Sequence, residues 1–298
     1  MNEVSGILLV DKPQGMTSQD AVNVVRRLYG TRECGHTGTL DPIATGLLVV
    51  LVGRAVKASE YAALNGKAYE AVMRLGIETD TEDVTGRVLR ECAAVPEEAA
   101  VLAAVASFRG EIMQTPPMYS AKKVGGRKLV DIARSGGEVE RKPVKVTIKK
   151  ISAKMTDENT CSLYAEVSKG TYIRTLCADI GKKLGCGAVM SSLRRVSAGG
   201  FTLARAHTLD ALEAMTEEER RNALLSVWTL FPGLPVVKFP AFYDRLAKNG
   251  AEIYEARSGL DLPVGQRLIL ADEAGRYALA EVKLYPAGAA VKAIKFLR

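Results

Sequence analysis

Histidine is almost missing from this chain: His36 and His207 are the only two in 298 residues. That scarcity excludes a multi-histidine metal site, and neither an HExxH pattern nor a paired CxxC spacing appears. The five cysteines, at 34, 92, 161, 177 and 186, are odd in number and scattered, which fits reduced thiols in a cytoplasm better than a disulfide frame. No apolar run approaches the roughly 18–20 residues that span a bilayer. The opening Met1-Asn2-Glu3-Val4-Ser5 sets no basic region before an apolar stretch, so no signal peptide is expected. A GxxxxGK[ST] loop is lacking, and Gly35, Gly38 and Gly46 neither match a dinucleotide fingerprint nor precede a helix. The expectation is a soluble, cytoplasmic protein without membrane, metal or cofactor.

What is present is charge in one place. The net charge is +7. Between Ser120 and Lys154 stand 11 Lys or Arg against three acids (Asp131, Glu138, Glu140), so this segment alone accounts for the whole excess. Such a stripe is the footprint of a phosphate-backbone partner, or else a solvated face of Lys-rich strands. Glu78 to Glu98 reverses the sign, with seven acids against two arginines, so that edge is expected to face away from a polyanion.

The chemistry gathers around Gly35-His36-Thr37-Gly38-Thr39-Leu40-Asp41-Pro42-Ile43-Ala44-Thr45-Gly46. The apolar run Leu47 to Val52 follows and ends at Gly53, which reads as a buried strand. On residue types alone two readings of Asp41 stand: a turn residue bonding its own backbone, or a carboxylate held for reaction by a rigid loop.

Other elements follow from pattern. Gly6 to Val10 reads as a strand. Thr17 or Ser18 caps a helix with Ala21, Val22, Val24, Val25 and Leu28 on one face and Gly30 as its stop. Helices are expected over Arg54–Leu64, from Pro96 through Phe108, over Arg127–Arg134, Thr171–Leu184 (Ile173, Leu176, Cys177 and Ile180 inward) and Thr208–Leu225. Strands are expected over Tyr69–Leu75, Val144–Ile148, Cys161–Val167 and Val189–Val196, with Glu78–Gly86 as an acidic loop. A composition break at Phe231-Pro232-Gly233-Leu234-Pro235 divides residues 1–233 from a small, mostly β unit over 234–298. In that unit a helical piece near Phe242–Lys248 precedes strands around 267–270, 277–283 and 291–296.

The Asp41 stretch closely resembles the signature of the TruB-type tRNA pseudouridine-55 synthases. Lys12-Pro13-x-Gly15-x-Thr17-Ser18 precedes it in the family's place, and Lys67-Ala68-Tyr69 follows. Then come Thr115-Pro116-Pro117-Met118-Tyr119-Ser120-Ala121-x-Lys123-x-x-Gly126, Ser168-Lys169-Gly170-Thr171-Tyr172-Ile173-Arg174-Thr175-Leu176 and Leu193-Arg194-Arg195. These motifs stand in family order over roughly residues 5–200. Val130 departs from the aromatic residue the family often has there.

The resemblance implies an α+β fold: a mixed, largely antiparallel central sheet flanked by helices, with a PUA-like RNA-binding domain at the C-terminal end. It implies isomerisation of uridine to pseudouridine in the T-loop of tRNA, with the base flipped out and no cofactor. Asp41 would act beside the ribose C1′, as carboxylates do in glycosidases. Arg174 would pair with Asp41, Tyr69 would stack on the base and Leu193 would wall its pocket. His36 would fill the gap left by the flipped base, and Tyr172 would line the cleft. Lys12, Lys123, Arg127 and Lys128 would bind the RNA. The resemblance also gives Tyr69 a catalytic part in proton transfer at C5; without it, Tyr69 reads as a core residue, Leu193 is better read as one, His36 as a loop residue bonded to backbone, and Arg174 as a helix-surface charge. The short amino terminus favours a stand-alone monomer with no obligatory protein partner. A guide-RNA-dependent relative and a non-catalytic tRNA-folding chaperone are the alternatives.

Overall fold

The computed structural model describes residues 4–62, 66–120, 122–255 and 259–298; the side chains of Lys123, Lys128 and Arg134 lie outside that description. The chain opens with β1 (Gly6–Lys12), α1 (Ser18–Tyr29), β2 (Cys34–His36) and β3 (Thr45–Val52). Thr17 makes a reciprocal cap with Asp20, and Gly30 ends α1 in the left-handed region at φ 61°. A 3-10 turn (Gly53–Ala58) and α2 (Ser59–Ala62) replace the single helix expected from Arg54; Leu64, its expected end, is outside the described residues. Then come β4 (Lys67–Leu75), β5 (Ile77–Thr79), β6 (Val88–Glu91), α3 (Glu98–Ala106) and β7 (Gly110–Gln114).

The basic region forms a small hairpin, β8 (Lys123–Val124) and β9 (Arg127–Lys128), running into α4 (Leu129–Arg134). Beyond it lie β10 (Val144–Asp157), β11 (Thr160–Val167), α5 (Ile173–Leu184), β12 (Ala188–Ala198), β13 (Phe201–Thr202) and β14 (His207–Thr208). The expected helix over Thr208–Leu225 is two, α6 (Leu209–Ala214) and α7 (Glu217–Asn222). Met215 is extended between them, and Thr216 starts a new capping box with Glu219.

The strands make a ten-stranded sheet in the order β14-β1-β3-β12-β4-β11-β10-β7, with β2 beside β3 and β13 beside β12. Among the described residues of this sheet, only β1·β14 and β3·β12 pair in parallel; the other pairs are antiparallel. The fold is therefore α+β with a mixed, mainly antiparallel sheet, as the family resemblance implies.

The unbroken apolar run of β3 has a physical cause. Leu48, Val50 and Val52 face a core shared with α1 and α5, whereas Leu47, Val49 and Leu51 face a second core on the opposite side of the sheet. A strand buried on both faces needs no polar alternation, and each fully buried aliphatic side chain there contributes about 1.5–3 kcal/mol. In β4, by contrast, Tyr69, Ala71, Met73 and Leu75 are buried while Glu70 and Arg74 are exposed. Apart from the buried Ala68, its outer face is more open, so it alternates.

The outer face of β3 is covered by Val227 and Phe231 together with the C-terminal unit. Its five-stranded sheet is built from β15 (Val236–Val237), β16 (Ile253–Tyr254), β17 (Arg267–Asp272), β18 (Gly275–Tyr285) and β19 (Gly288–Phe296), with α8 (Ala241–Lys248). Ile269, Leu279 and Leu297 of this unit join the second core, and Lys295 Nζ meets Glu60 Oε1 at 3.0 Å. Among the described residues, no helix is long and apolar enough to cross a membrane.

Candidate active site

Asp41 sits where three supports meet. Ser18, the first residue of α1, is buried; its hydroxyl accepts from the Leu40 N–H at 2.7 Å and donates to the Leu40 carbonyl at 2.9 Å. The Gly15 N–H donates to the Pro42 carbonyl at 2.8 Å. On the far side the buried Arg195 of β12 donates to three carbonyls: Leu47 (2.7 Å), Gly38 (2.9 Å) and Thr39 (3.3 Å). Gly46 lets β3 approach β12 this closely. Its φ is 96°, and a Cβ there would stand 2.4 Å from the Arg195 carbonyl oxygen.

Different atoms of Asp41 make different contacts. Its carbonyl closes a turn with the Ala44 N–H at 3.0 Å. Its carboxylate is not used in that turn: Oδ2 meets Arg174 Nε at 3.0 Å, with the aspartate side chain 36% exposed and the arginine 5%. Arg174 is thus no surface charge. It stands in the first turn of α5, and its remaining donors reach the Tyr119 carbonyl (2.8 Å) and the Thr81 carbonyl (3.1 Å).

A second carboxylate shares this guanidinium. Asp83 Oδ2 lies 3.7 Å from Arg174 Nη1, and Asp83 is buried. Its Oδ1 accepts from Thr81 Oγ1 (2.9 Å), the Thr85 N–H (3.0 Å) and Thr85 Oγ1 (2.5 Å). Next to it, Glu82 Oε2 accepts from Thr175 of α5 at 2.5 Å. Glu82 and Asp83 are thus engaged inside the fold and form no part of an exposed acidic edge. A charge count over a segment averages exposed acids with those the β5–β6 connection folds inward.

Burial pushes the Asp41 carboxyl above the ordinary carboxylate value. Arg174 opposes that shift, Asp83 adds to it, and Lys12 opposes it weakly. An ionised, half-exposed carboxylate fixed by a buried guanidinium is what attack or charge stabilisation at a sugar carbon requires.

The pair opens onto a cavity of about 680 Å³. Tyr69, Leu193, His36 and Tyr172 all line it, together with Lys67 and Val130. Tyr69 comes from β4 and Leu193 from β12, adjacent strands of the sheet. Tyr172 is extended (φ −102°, ψ 113°) as the residue before α5, and Gln114 of β7 brackets it, bonding its N–H at 2.8 Å and its carbonyl at 3.0 Å. That extended turn lets Tyr172 and Arg174 face one cleft. His36 is not in a loop: it ends β2, opposite Val50. Burial, then Arg195 and Lys67, lower its pKa, favouring the neutral imidazole.

Lys12 departs from its expected role. Its side chain is fully buried, and Nζ donates to the Pro13 and Met16 carbonyls, both at 2.7 Å. Burial brings its pKa down to about 8, with Asp41 acting against that shift. An ammonium spent on two carbonyls inside the fold holds the Pro13–Met16 turn and does not reach an RNA strand. Arg127 is exposed on the β8–β9 hairpin, away from the cavity lining. Lys123 and Lys128 pair in the same hairpin, their side chains outside the described residues.

Asp83, Lys67 and Arg195 are the site residues that sequence reasoning missed. The Lys67-Ala68-Tyr69 spacing carried one signal: residues two apart on a strand share a face.

Known proteins match this arrangement. The family model "TruB family pseudouridylate synthase (N terminal domain)" matches residues 26–173, and "tRNA pseudouridylate synthase B C-terminal domain" matches 174–229. The chain is 47% identical over 238 residues to a tRNA pseudouridine synthase B of Burkholderia mallei, covering 80% of this chain and 79% of that one. It is 44% identical over 247 residues to the protein of that name from Aromatoleum aromaticum, covering 83% and 80%. A chain from a Cbf5-Nop10-Gar1 complex superposes with a TM-score of 0.71 at 24% identity, over 98% of this chain and 85% of the other. That last likeness concerns the fold.

Proposed function

The chain belongs to the TruB family of pseudouridylate synthases, and from that premise we propose that it isomerises uridine to pseudouridine at position 55, in the T-loop of tRNA. The observation that carries the reading is the Arg174–Asp41 pair at the wall of a cavity large enough for a flipped nucleotide. The reaction breaks the N1–C1′ bond, turns the uracil and rejoins it through C5; nothing is lost and no electrons are exchanged. Asp41 is the group that acts at the ribose, and Arg174 keeps it ionised and aimed. Tyr69 stacks on the flipped base, Leu193 walls the pocket, His36 occupies the vacated stack and Tyr172 borders the cleft.

The remaining assignments rest on composition and family. Residues 1–233 form the catalytic unit, and 234–298 a PUA-like RNA-binding unit. The basic stripe with Lys123, Arg127 and Lys128 lies along the T-arm backbone. The protein works as a monomer in the cytoplasm without an obligatory protein partner. Purified protein incubated with one unmodified tRNA, followed by mapping of pseudouridine, tests this. One modified uridine in the T-loop is expected from the protein alone; an unmodified T-loop, or a requirement for an added guide RNA, overturns it.

A further inference from the structure

One cation in the cavity has no counter-charge. Lys67 begins β4, two residues before Tyr69, so both side chains stand on the cavity face of that strand. The other cations near the Asp41 loop are engaged. Arg174 meets two carboxylates, Arg195 is used up on three carbonyls, Arg194 pairs with Asp11 at 2.7 Å and Lys12 holds two carbonyls. Among the described residues, nothing accepts a hydrogen bond or an ion pair from Lys67.

Its position is tightly defined. A Cβ built on Gly38 would lie 2.9 Å from Lys67 Nζ and 3.6 Å from Arg195 Nη1, so two cations crowd one side of the glycine. Burial and Arg195 bring the Lys67 pKa down to about 8, with no carboxylate acting against them. His36 stands at the same end of the cavity, and its Nδ1 is buried with no hydrogen-bond partner. A half-buried ammonium facing another cation, beside an unsatisfied imidazole nitrogen, is costly unless an anion arrives. Lys67 also lines the adjoining groove of about 430 Å³, whose wall carries Lys149 and Glu166.

Resting on the isomerase reading above, we propose that Lys67 and His36 form a phosphodiester subsite that holds one of the two backbone phosphates flanking the flipped uridine. Arg174 already neutralises the Asp41 and Asp83 carboxylates, so the phosphate's charge is met by Lys67. Placing the nucleotide by its phosphate fixes the sugar against Asp41, and Gly38 leaves room beside Lys67.

The test uses T-arm stem-loops in which the linkage 5′ or 3′ of the target uridine is an uncharged methylphosphonate, with the all-phosphate arm as reference. Affinity is read from direct titration, and pseudouridine formation is followed alongside. For the wild-type protein one neutral linkage weakens binding about tenfold and the other much less. The Lys67→Met variant binds the all-phosphate arm about tenfold more weakly, and the sensitive linkage then costs it nothing further. Lys67→Arg, which keeps the charge, regains the sensitivity. Losses that simply multiply in Lys67→Met at both linkages overturn the proposal, as does wild-type binding indifferent to both. If the wild-type protein forms no pseudouridine in the all-phosphate arm, the isomerase reading falls, while the binding comparison still decides the phosphate contact.

Discussion

The two sides of the Asp41 loop are each held by a buried arginine, and the two are used differently. Arg195, 1% exposed, gives all of its contacts to main-chain carbonyls of Leu47, Gly38 and Thr39. Arg174, 5% exposed, gives part of its contacts to carbonyls and turns the rest on the carboxylates of Asp41 and Asp83. The first arrangement fixes backbone and leaves no group free to react. The second fixes a charge that remains half open to the cavity. The same side chain is structural in one place and electrostatic in the other, and its partners decide which.

Substitutions at the two arginines separate these uses. Arg174→Met removes the group that opposes the upward shift of the Asp41 pKa, so turnover falls about 10²–10³-fold. The pH profile moves as well. On the proposed reading Asp41 acts as the anion, so the rate is expected to fall as pH drops through its pKa, which burial places above the ordinary carboxylate value. Without Arg174 that acid limb shifts to still higher pH. An unshifted limb in single-turnover rates would break the comparison.

Arg195→Met leaves three carbonyls without donors and costs roughly 3 kcal/mol of stability. Denaturant titration measures that change, while the acid limb stays where the wild type has it, because Arg195 is not among the groups that act on Asp41. A limb that moves with Arg195→Met would mean that both arginines serve the charge.

A third, smaller effect lies outside the loop. Reversing charge at Lys123, Arg127 and Lys128 together should weaken tRNA binding and flatten its salt dependence, by about 0.7–0.9 in log–log slope for each phosphate no longer neutralised. Turnover at saturating tRNA stays near wild type, since the exposed Arg127 is not among the residues that line the cavity and the hairpin is assigned to binding. Unchanged affinity and slope would return the basic stripe to a solvated surface.

Local elements were legible where one segment carries its own signal. Thr17, the apolar face of α1 and Gly30 define a capped helix without help from elsewhere, and the aliphatic run of β3 announces burial on both sides. What escaped depends on pairing across the chain. The three-residue β2 exists because it lies against β3, and β7 because it edges β10. The strand expected over Val144–Ile148 continues to Asp157 because β11 pairs with its more exposed half. The same limit applies at the site. Asp41, Tyr69, Arg174 and Leu193 stand in motifs, but Asp83 sits in an acidic stretch that reads as solvent-facing and turns inward only because the β5–β6 connection packs on α5. Lys12 misled in the opposite sense: a lysine in a motif reads as an RNA contact, and the fold spends it on two carbonyls.

The most direct measurement is single-turnover conversion of a T-loop uridine by Asp41→Asn, with tRNA affinity determined on the same preparation. The amide keeps the shape of the side chain and removes the charge that Arg174 holds. The expected result is no detectable pseudouridine and a Kd within about tenfold (~1.4 kcal/mol) of wild type. Conversion at the wild-type rate, or the loss of binding together with conversion, would contradict the assignment of Asp41 as the reacting carboxylate.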